Sequence, residues 1–225
     1  MNRRDFSAHV VSAPAAAAGL GLAALAARAQ GPSAAQRAAP VEGKHFVRLN
    51  PPLPAPPAGK IEVIEFFWYG CPHCNAFEPA LDAWQKRLPA DVNFKRLPIA
   101  FANEPFVAHQ RIFFALESLG KLEPMHRKVF YAIHTERNRL DKTEDILAFM
   151  TKNGLEGPKF LDAYNSFDTQ AKARRAAKLG EAYKIDGVPA IGVQGRFYTS
   201  GSLAGTADAS LPVADFLIAQ VRRGA

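Results

Sequence analysis

The chain of 225 residues contains only two cysteines. A scaffold held together by several disulfides is therefore excluded, and so is a zinc site built from four thiolates. Both cysteines stand in one tetrapeptide, Cys71-Pro72-His73-Cys74. A pair with this spacing can open and close a small disulfide ring, which is the chemistry of thiol–disulfide oxidoreductases.

Other interpretations of the pair fit less well. A zinc half-site lacks a second Cys/His pair at ligand spacing. Attachment of a c-type haem needs a histidine directly after the second cysteine, where Asn75 stands instead. A disulfide across a two-residue loop removes little entropy from the unfolded chain, so it is a poor structural staple. We therefore expect a catalytic dithiol, no metal, and no cofactor besides the disulfide itself.

The flanking residues place this pair between a strand and a helix. Residues 61–67 form a short apolar run rich in β-branched and aromatic residues, typical of a buried strand. The apolar residues after the pair recur at helical spacing: Phe77, Leu81, Trp84 and Leu88. Cys71 is then expected at the N-cap, and Pro72 at the first helical position, where its missing N–H costs nothing.

This position predicts an acidic first cysteine. Free N–H groups and the positive end of the helix dipole stabilise a thiolate at Cys71, and His73 adds a donor or a positive charge. A stabilised thiolate stabilises the reduced form, so the disulfide is oxidising. Cys71 is expected to be the attacked sulfur. Cys74, one turn further along the helix, is expected to be shielded and to close the ring again.

The N-terminus predicts an export signal over residues 1–29. Arg3 and Arg4 precede a weakly apolar stretch, and small residues flank Arg28, so we expect cleavage after Ala29. The paired arginines also resemble a twin-arginine signal, and both export routes stay open. An exported protein with this dithiol meets an oxidising compartment, the bacterial periplasm. The net charge of +7 comes without a basic run interleaved with aromatics, so nucleic acid is not an expected partner.

The rest of the chain predicts one α/β sheet interrupted by a second domain. Residues 30–43 form an Ala/Pro-rich, flexible leader. Residues 44–102 contain strand–helix–strand signals, and residues 168–225 contain helix–hairpin–helix signals. Residues 103–167 have helical periodicity alone, so they are expected to form an inserted all-helical domain. The histidines of this insert, His109, His126 and His134, are interpreted as surface or core residues rather than ligands.

Three motifs resemble the DsbA family of bacterial periplasmic disulfide oxidases: Cys71-Pro72-His73-Cys74, the preceding Glu65-Phe66-Phe67 and the distant Gly187-Val188-Pro189-Ala190. The resemblance implies a thioredoxin fold with an inserted helical domain. It implies that Cys71 exchanges with reduced cysteines of newly exported, unfolded proteins through a mixed disulfide. A membrane quinone-linked oxidase of the DsbB type would then reoxidise the enzyme, which we expect to be a monomer.

The resemblance also implies a cis bond between Val188 and Pro189. A cis proline beside the dithiol would expose the carbonyl and N–H of Val188 for strand-like pairing with a substrate peptide. The sequence alone leaves an ordinary turn proline as the alternative, since few X–Pro bonds in folded proteins are cis.

Glu65 is expected to be buried, because it shares a strand face with Ile61, Val63 and Phe67. A buried carboxyl needs a partner or takes up a proton. In the resembling family an acid at this position helps to move protons from the second cysteine, and its basic partner aligns with Arg96. Strand alternation favours Arg96 over Lys95 as the inward residue. An ordinary surface acid on an edge strand is the alternative.

Two other functions remain open from the sequence. The first is a reductase or isomerase, although we expect no room for an isomerase's dimerisation domain in the short leader. The second is a peptide-binding chaperone that keeps its disulfide as a staple.

Overall fold

The computed structural model describes residues 39–54, 59–101 and 106–224. The expected signal over residues 1–29 and the leader up to residue 38 lie outside these described residues. Within the described ranges, no helix is long and apolar enough to cross a membrane.

The described residues form one five-stranded mixed sheet. Its strands are β1 Val47–Arg48, β2 Ile61–Phe67, β3 Val92–Pro98, β4 Ala190–Val193 and β5 Phe197–Ser200. They lie in the order β1-β5-β4-β2-β3. Strand β2 runs parallel to β3 on one side and antiparallel to β4 on the other. Its residues are almost all buried, as the apolar run predicts.

Helices connect and cover the strands. In the described residues the helices are α1 Pro72–Lys86, α2 Phe106–Ser118, α3 Leu122–His134, α4 Thr143–Lys152, α5 Gly157–Asn165, α6 Phe167–Ala182, α7 Gly201–Ala204 and α8 Ala207–Arg222. Helices α2 to α5 follow one another after β3 without an intervening strand among the described residues, which agrees with the helical periodicity of that part of the sequence.

Strand β2 distributes its side chains among three hydrophobic clusters. Ile61 and Val63 pack with residues of α1 and α8 on one face of the sheet. Ile64 and Phe66 pack on the opposite face, against residues that follow α6. At the end of the strand Phe67 enters the cluster formed largely by α2 to α5, with its ring 5.6 Å from that of Phe113. The end of β2, just before Cys71, is thus packed both against a cluster on a face of the sheet and against the cluster formed largely by α2 to α5.

The hairpin between β4 and β5 sets the position of the proline loop. Gln194 and Gly195 both have positive φ, as the predicted tight turn requires. The Tyr183 hydroxyl accepts a 2.7 Å hydrogen bond from the Gly195 N–H and anchors the turn. Because β4 pairs with β2 in antiparallel register, Pro189, directly before β4, lies near the end of β2 where Cys71 follows.

Candidate active site

The dithiol lies at the start of α1. Cys71 is the N-cap residue with extended backbone, and Pro72 is the first helical residue. The Cys71 N–H donates to the Trp68 carbonyl at 3.0 Å, which closes the turn between β2 and α1. Both cysteines carry free thiols. Cys71 is 7% exposed, whereas Cys74 is fully buried, so only the first sulfur can be reached from outside.

The pKa of Cys71 is lowered to about 6. The largest cause is a hydrogen bond from the Cys74 thiol, followed by burial, which opposes it, and by the backbone N–H groups of Cys74 and His73. The charge of the exposed His73 side chain contributes least among these. The sequence predicted the direction of this change, but it gave the leading role to the helix terminus and His73 and overlooked the second cysteine as a donor.

The pKa of Cys74 is raised, in contrast. Burial is the largest cause, followed by the hydrogen bond to Cys71 and the negative charge of Cys71; Glu65 adds to the increase only when it is ionised. In the reduced protein the thiolate therefore resides on Cys71 while Cys74 keeps its proton. The two sulfurs differ in both access and charge.

The proline loop faces the first sulfur. The Val188–Pro189 bond is cis, as the family resemblance implied. The Cys71 Sγ lies 3.5 Å from the Val188 carbonyl oxygen. A cavity of about 390 Å³ opens beside them and is bordered by His73 on α1. Its lining also includes three hydroxyl-bearing residues that sequence reasoning missed, Ser200, Ser202 and Thr206.

Glu65 is fully buried, and the register of β2 and β3 places it directly opposite Arg96. Arg96 Nε lies 3.4 Å from Glu65 Oε2, an ion-pair contact without hydrogen-bond geometry. Burial, then the charge of Glu78, raises the pKa of Glu65 well above its usual range, against the opposing effect of Arg96. Lys95 instead reaches Glu62 at 2.6 Å, so Arg96 is the basic residue next to Glu65.

A second buried acid, Glu78, was not foreseen from the sequence. Its Oε2 lies 3.3 Å from Arg96 Nη2, and its Oε1 lies 3.3 Å from His126 Nε2 of the helical insertion. His126 Nδ1 in turn lies 2.8 Å from the Tyr69 hydroxyl. The sequence did contain an indication that Glu78 is buried, because this residue follows Cys74 by one helical turn and lies between the inward residues Phe77 and Leu81.

The two other histidines of the insertion hold backbone groups. His134 Nε2 donates to the Tyr69 carbonyl at 2.8 Å, and His109 Nε2 donates to the Arg139 carbonyl at 2.8 Å. Burial lowers the pKa of His109. Among the described residues, no cluster of three or more His, Cys, Asp or Glu side chains is arranged to hold a metal ion.

Comparisons with known proteins agree with this geometry. The family model for a DSBA-like thioredoxin domain matches residues 62–208. A thiol:disulfide interchange protein DsbA of Burkholderia cepacia is 43% identical over 195 residues, which cover 86% of this chain and 92% of that protein. The crystal structure of Pseudomonas aeruginosa DsbA superposes with a TM-score of 0.77 at 42% identity, over 81% of this chain and 94% of that one. An oxidoreductase DsbA of Xylella fastidiosa gives 0.75 at 29% identity, over 82% and 98%.

The asymmetry of the two thiols predicts a single thiolate titration. We expect the ultraviolet absorbance of the reduced protein to show one thiolate ionising near pH 6. Because folding lowers this pKa, the thiolate stabilises the reduced fold fully above about pH 9, and this stability is lost as the pH falls through about 6. Cys74→Ala removes the strongest donor and should move the titration to higher pH. An unchanged titration in that variant would show that the hydrogen bond from Cys74 is unimportant.

Proposed function

The chain belongs to the DsbA family and is a thiol:disulfide oxidoreductase with a thioredoxin fold and a helical insertion; we propose that Cys71 is the sulfur that exchanges with substrates and that Cys74 closes the ring again. The observation that carries this assignment is the difference between the two thiols. Cys71 is partly accessible and acidic, while Cys74 is fully buried and keeps its proton.

The chemistry follows from this asymmetry. A thiolate of a reduced substrate attacks Cys71 Sγ of the oxidised enzyme, the ring S–S bond breaks, and its electron pair goes to Cys74. A second substrate thiolate then attacks the substrate sulfur of the mixed disulfide, and Cys71 leaves as a thiolate. The substrate is oxidised by two electrons and the enzyme is reduced by two. A thiol of low pKa is a good leaving group, so release from Cys71 is favoured.

The proline loop is proposed to hold the substrate backbone. The carbonyl of Val188 already lies at Cys71 Sγ, and Val188 is only half-buried. An extended peptide that paired with this residue would place its own cysteine at the exchanging sulfur. The cavity lined by His73 and the three hydroxyl-bearing residues then has room for the neighbouring side chains of that peptide.

Glu65 is proposed to donate a proton to Cys74 when the ring opens and to accept it when the ring closes. When the ring opens, Cys74 leaves as a thiolate inside the protein and needs a proton; when the ring closes, it must release one. A buried carboxyl with a raised pKa holds a proton more readily than an ordinary surface acid, so it can perform both transfers. Arg96 would limit how far that pKa rises, because its charge favours the carboxylate.

The family also supports a cellular role that we propose for this chain. Its substrates would be reduced, unfolded proteins that have just been exported, and a membrane quinone-linked oxidase of the DsbB type would reoxidise it. The signal expected over residues 1–29 would deliver it to the periplasm, where it would act as a monomer. An acidic exchanging cysteine favours the direction of oxidation over that of a reductase.

Pro189→Thr should trap substrates. Threonine replaces the proline ring with a side chain that has a hydroxyl, and it adds a backbone N–H at this position. We therefore expect release of the mixed disulfide to slow by at least about tenfold. Exported proteins linked to the variant should appear on a non-reducing gel and vanish on reduction. The matched control, Pro189→Thr with Cys71→Ser, should trap none. A lack of trapped species in Pro189→Thr would contradict the role given to this loop.

Glu65→Gln should slow turnover while leaving the redox equilibrium nearly unchanged. The amide keeps the shape of a protonated carboxyl but cannot transfer its proton, so we expect the oxidation of a dithiol peptide to slow about tenfold to a hundredfold at neutral pH. The control is Glu62→Gln, a change of the acid on the same strand that pairs with Lys95 at the surface. Equal rates for Glu65→Gln and wild type would rule out the proton-transfer role.

A further inference from the structure

Two buried carboxyl groups share one arginine beneath the dithiol. Glu65 on β2 and Glu78 on α1 are both fully buried. Arg96 on β3 reaches Glu65 with Nε at 3.4 Å and Glu78 with Nη2 at 3.3 Å. Two like charges in one buried site disfavour each other's ionisation, so one carboxyl takes up a proton more readily than the other.

The surroundings of the two carboxyls are unequal. Glu78 Oε1 meets His126 Nε2 at 3.3 Å, and its Oε2 meets Arg127 Nη1 at 3.6 Å in addition to Arg96. Among the described residues, none donates a hydrogen bond to either oxygen of Glu65. A carboxylate is stabilised by donors and positive charges. The negative charge therefore belongs on Glu78 and the proton on Glu65.

The contacts of His126 place a hydrogen on one of its ring nitrogens. A carboxylate oxygen only accepts, so the Nε2 that faces Glu78 carries a hydrogen. Nδ1 lies 2.8 Å from the Tyr69 hydroxyl, within hydrogen-bond distance. The ring is further held by edge contacts with Phe67 and Phe130. Tyr69 thus helps to orient the ring so that Nε2 donates to Glu78.

Charged and titratable groups approach this histidine from several elements. Glu78 comes from α1 and Tyr69 from the turn after β2. Arg96 of β3 contacts the same carboxylate from the other side, and Arg127 follows on the histidine's own helix. Arg96 also contacts the partly exposed Asp82 at 2.6 Å. Glu78 is therefore the carboxyl of this cluster that two arginines and a histidine face together.

We propose that His126, oriented by Tyr69, is a positioning residue that keeps Glu78 ionised and thereby keeps the exchangeable proton on Glu65. The proposal rests on the proton-transfer role proposed for Glu65. When a substrate opens the ring, Cys74 leaves as a thiolate and Glu65 supplies its proton, which is later replaced from solvent. Without the donor from His126, Glu78 competes for the proton. A larger share of Glu65 is then already ionised, so fewer molecules have a proton on Glu65 to give to Cys74 when the ring opens.

The test measures which carboxyl holds the proton. Infrared spectra of the folded, reduced protein report the protonated carboxyl, and its loss in Glu65→Gln assigns the signal. We expect His126→Phe to move the ionisation of Glu65 to lower pH by about one unit, a tenfold change in its acid dissociation constant. His126→Gln keeps an N–H toward Glu78 and should retain the wild-type titration. An unshifted titration in folded His126→Phe would overturn the proposal.

A control histidine separates this effect from general loss of packing. His109→Gln changes another buried histidine of the insertion, one that holds a carbonyl rather than Glu78. It should leave the titration of Glu65 in place even if it lowers stability. Should His109→Gln shift the titration as far as His126→Phe does, the effect would be general and the proposal would fail.

A measurement of the rate at which the oxidised enzyme is reduced completes the test. Reduction of the oxidised enzyme by a dithiol peptide, followed by tryptophan fluorescence, should slow about tenfold in His126→Phe at neutral pH and recover at lower pH.

If His126→Phe does not fold, Glu78→Gln tests the same coupling. This variant removes the repelling charge, so ionisation of Glu65 should also move to lower pH, and no shift would refute the coupling. A shift with a normal rate in Glu65→Gln would refute only the proton-transfer role.

Discussion

The chemistry of this protein depends on the inequality of its two thiols at the start of α1. A hydrogen bond from the buried thiol of Cys74 is the largest of the causes that lower the pKa of Cys71. Burial is the largest cause that raises the pKa of Cys74, and the hydrogen bond between the two thiols adds to it. Two chemically identical groups thereby become unequal. Cys71 is the N-cap residue of α1, which begins at Pro72, and the buried strand β2 and the turn through Trp68 hold that position.

The inserted helices contribute to the polar interior as well as to the hydrophobic core. His126 and His134 on α3 hold the hydroxyl and the carbonyl of Tyr69, two residues before the exchanging sulfur. His126 also extends the buried cluster of Glu65, Arg96 and Glu78 across the boundary between sheet and insertion. Removing one partner from a buried ion pair costs about 3–5 kcal/mol in proteins, so such a cluster persists only with its members together.

The sequence predicts best what local patterns determine. The strand before Cys71, the helix after it and the hairpin at Gln194–Gly195 follow from apolar periodicity and turn residues. Strand alternation places Glu65 and Arg96 inward, and the register of two parallel strands then makes them neighbours. The cis bond before Pro189 was predicted from the family resemblance, since no local pattern determines it.

What the sequence did not provide depends on contacts between distant elements. Glu78 and His126 are 48 residues apart, and periodicity alone describes His126 as an ordinary residue of an amphipathic helix. The cavity likewise depends on tertiary structure, because His73 of α1 and the hydroxyl-bearing residues at and after the end of β5 line it together. The donor role of Cys74 toward Cys71 depends on the geometry of the first helical turn. Each of these required the assembled structure.

The reduction potential of the protein is the most direct test of the central claim, that a stabilised Cys71 thiolate makes the disulfide an oxidant. Equilibration with glutathione, followed by the fluorescence of Trp68 and Trp84, measures it. We expect a value above about −200 mV, more oxidising than typical glutathione poise. A value far below that would contradict the account, because the disulfide would then be too stable to pass its oxidising equivalents to substrates.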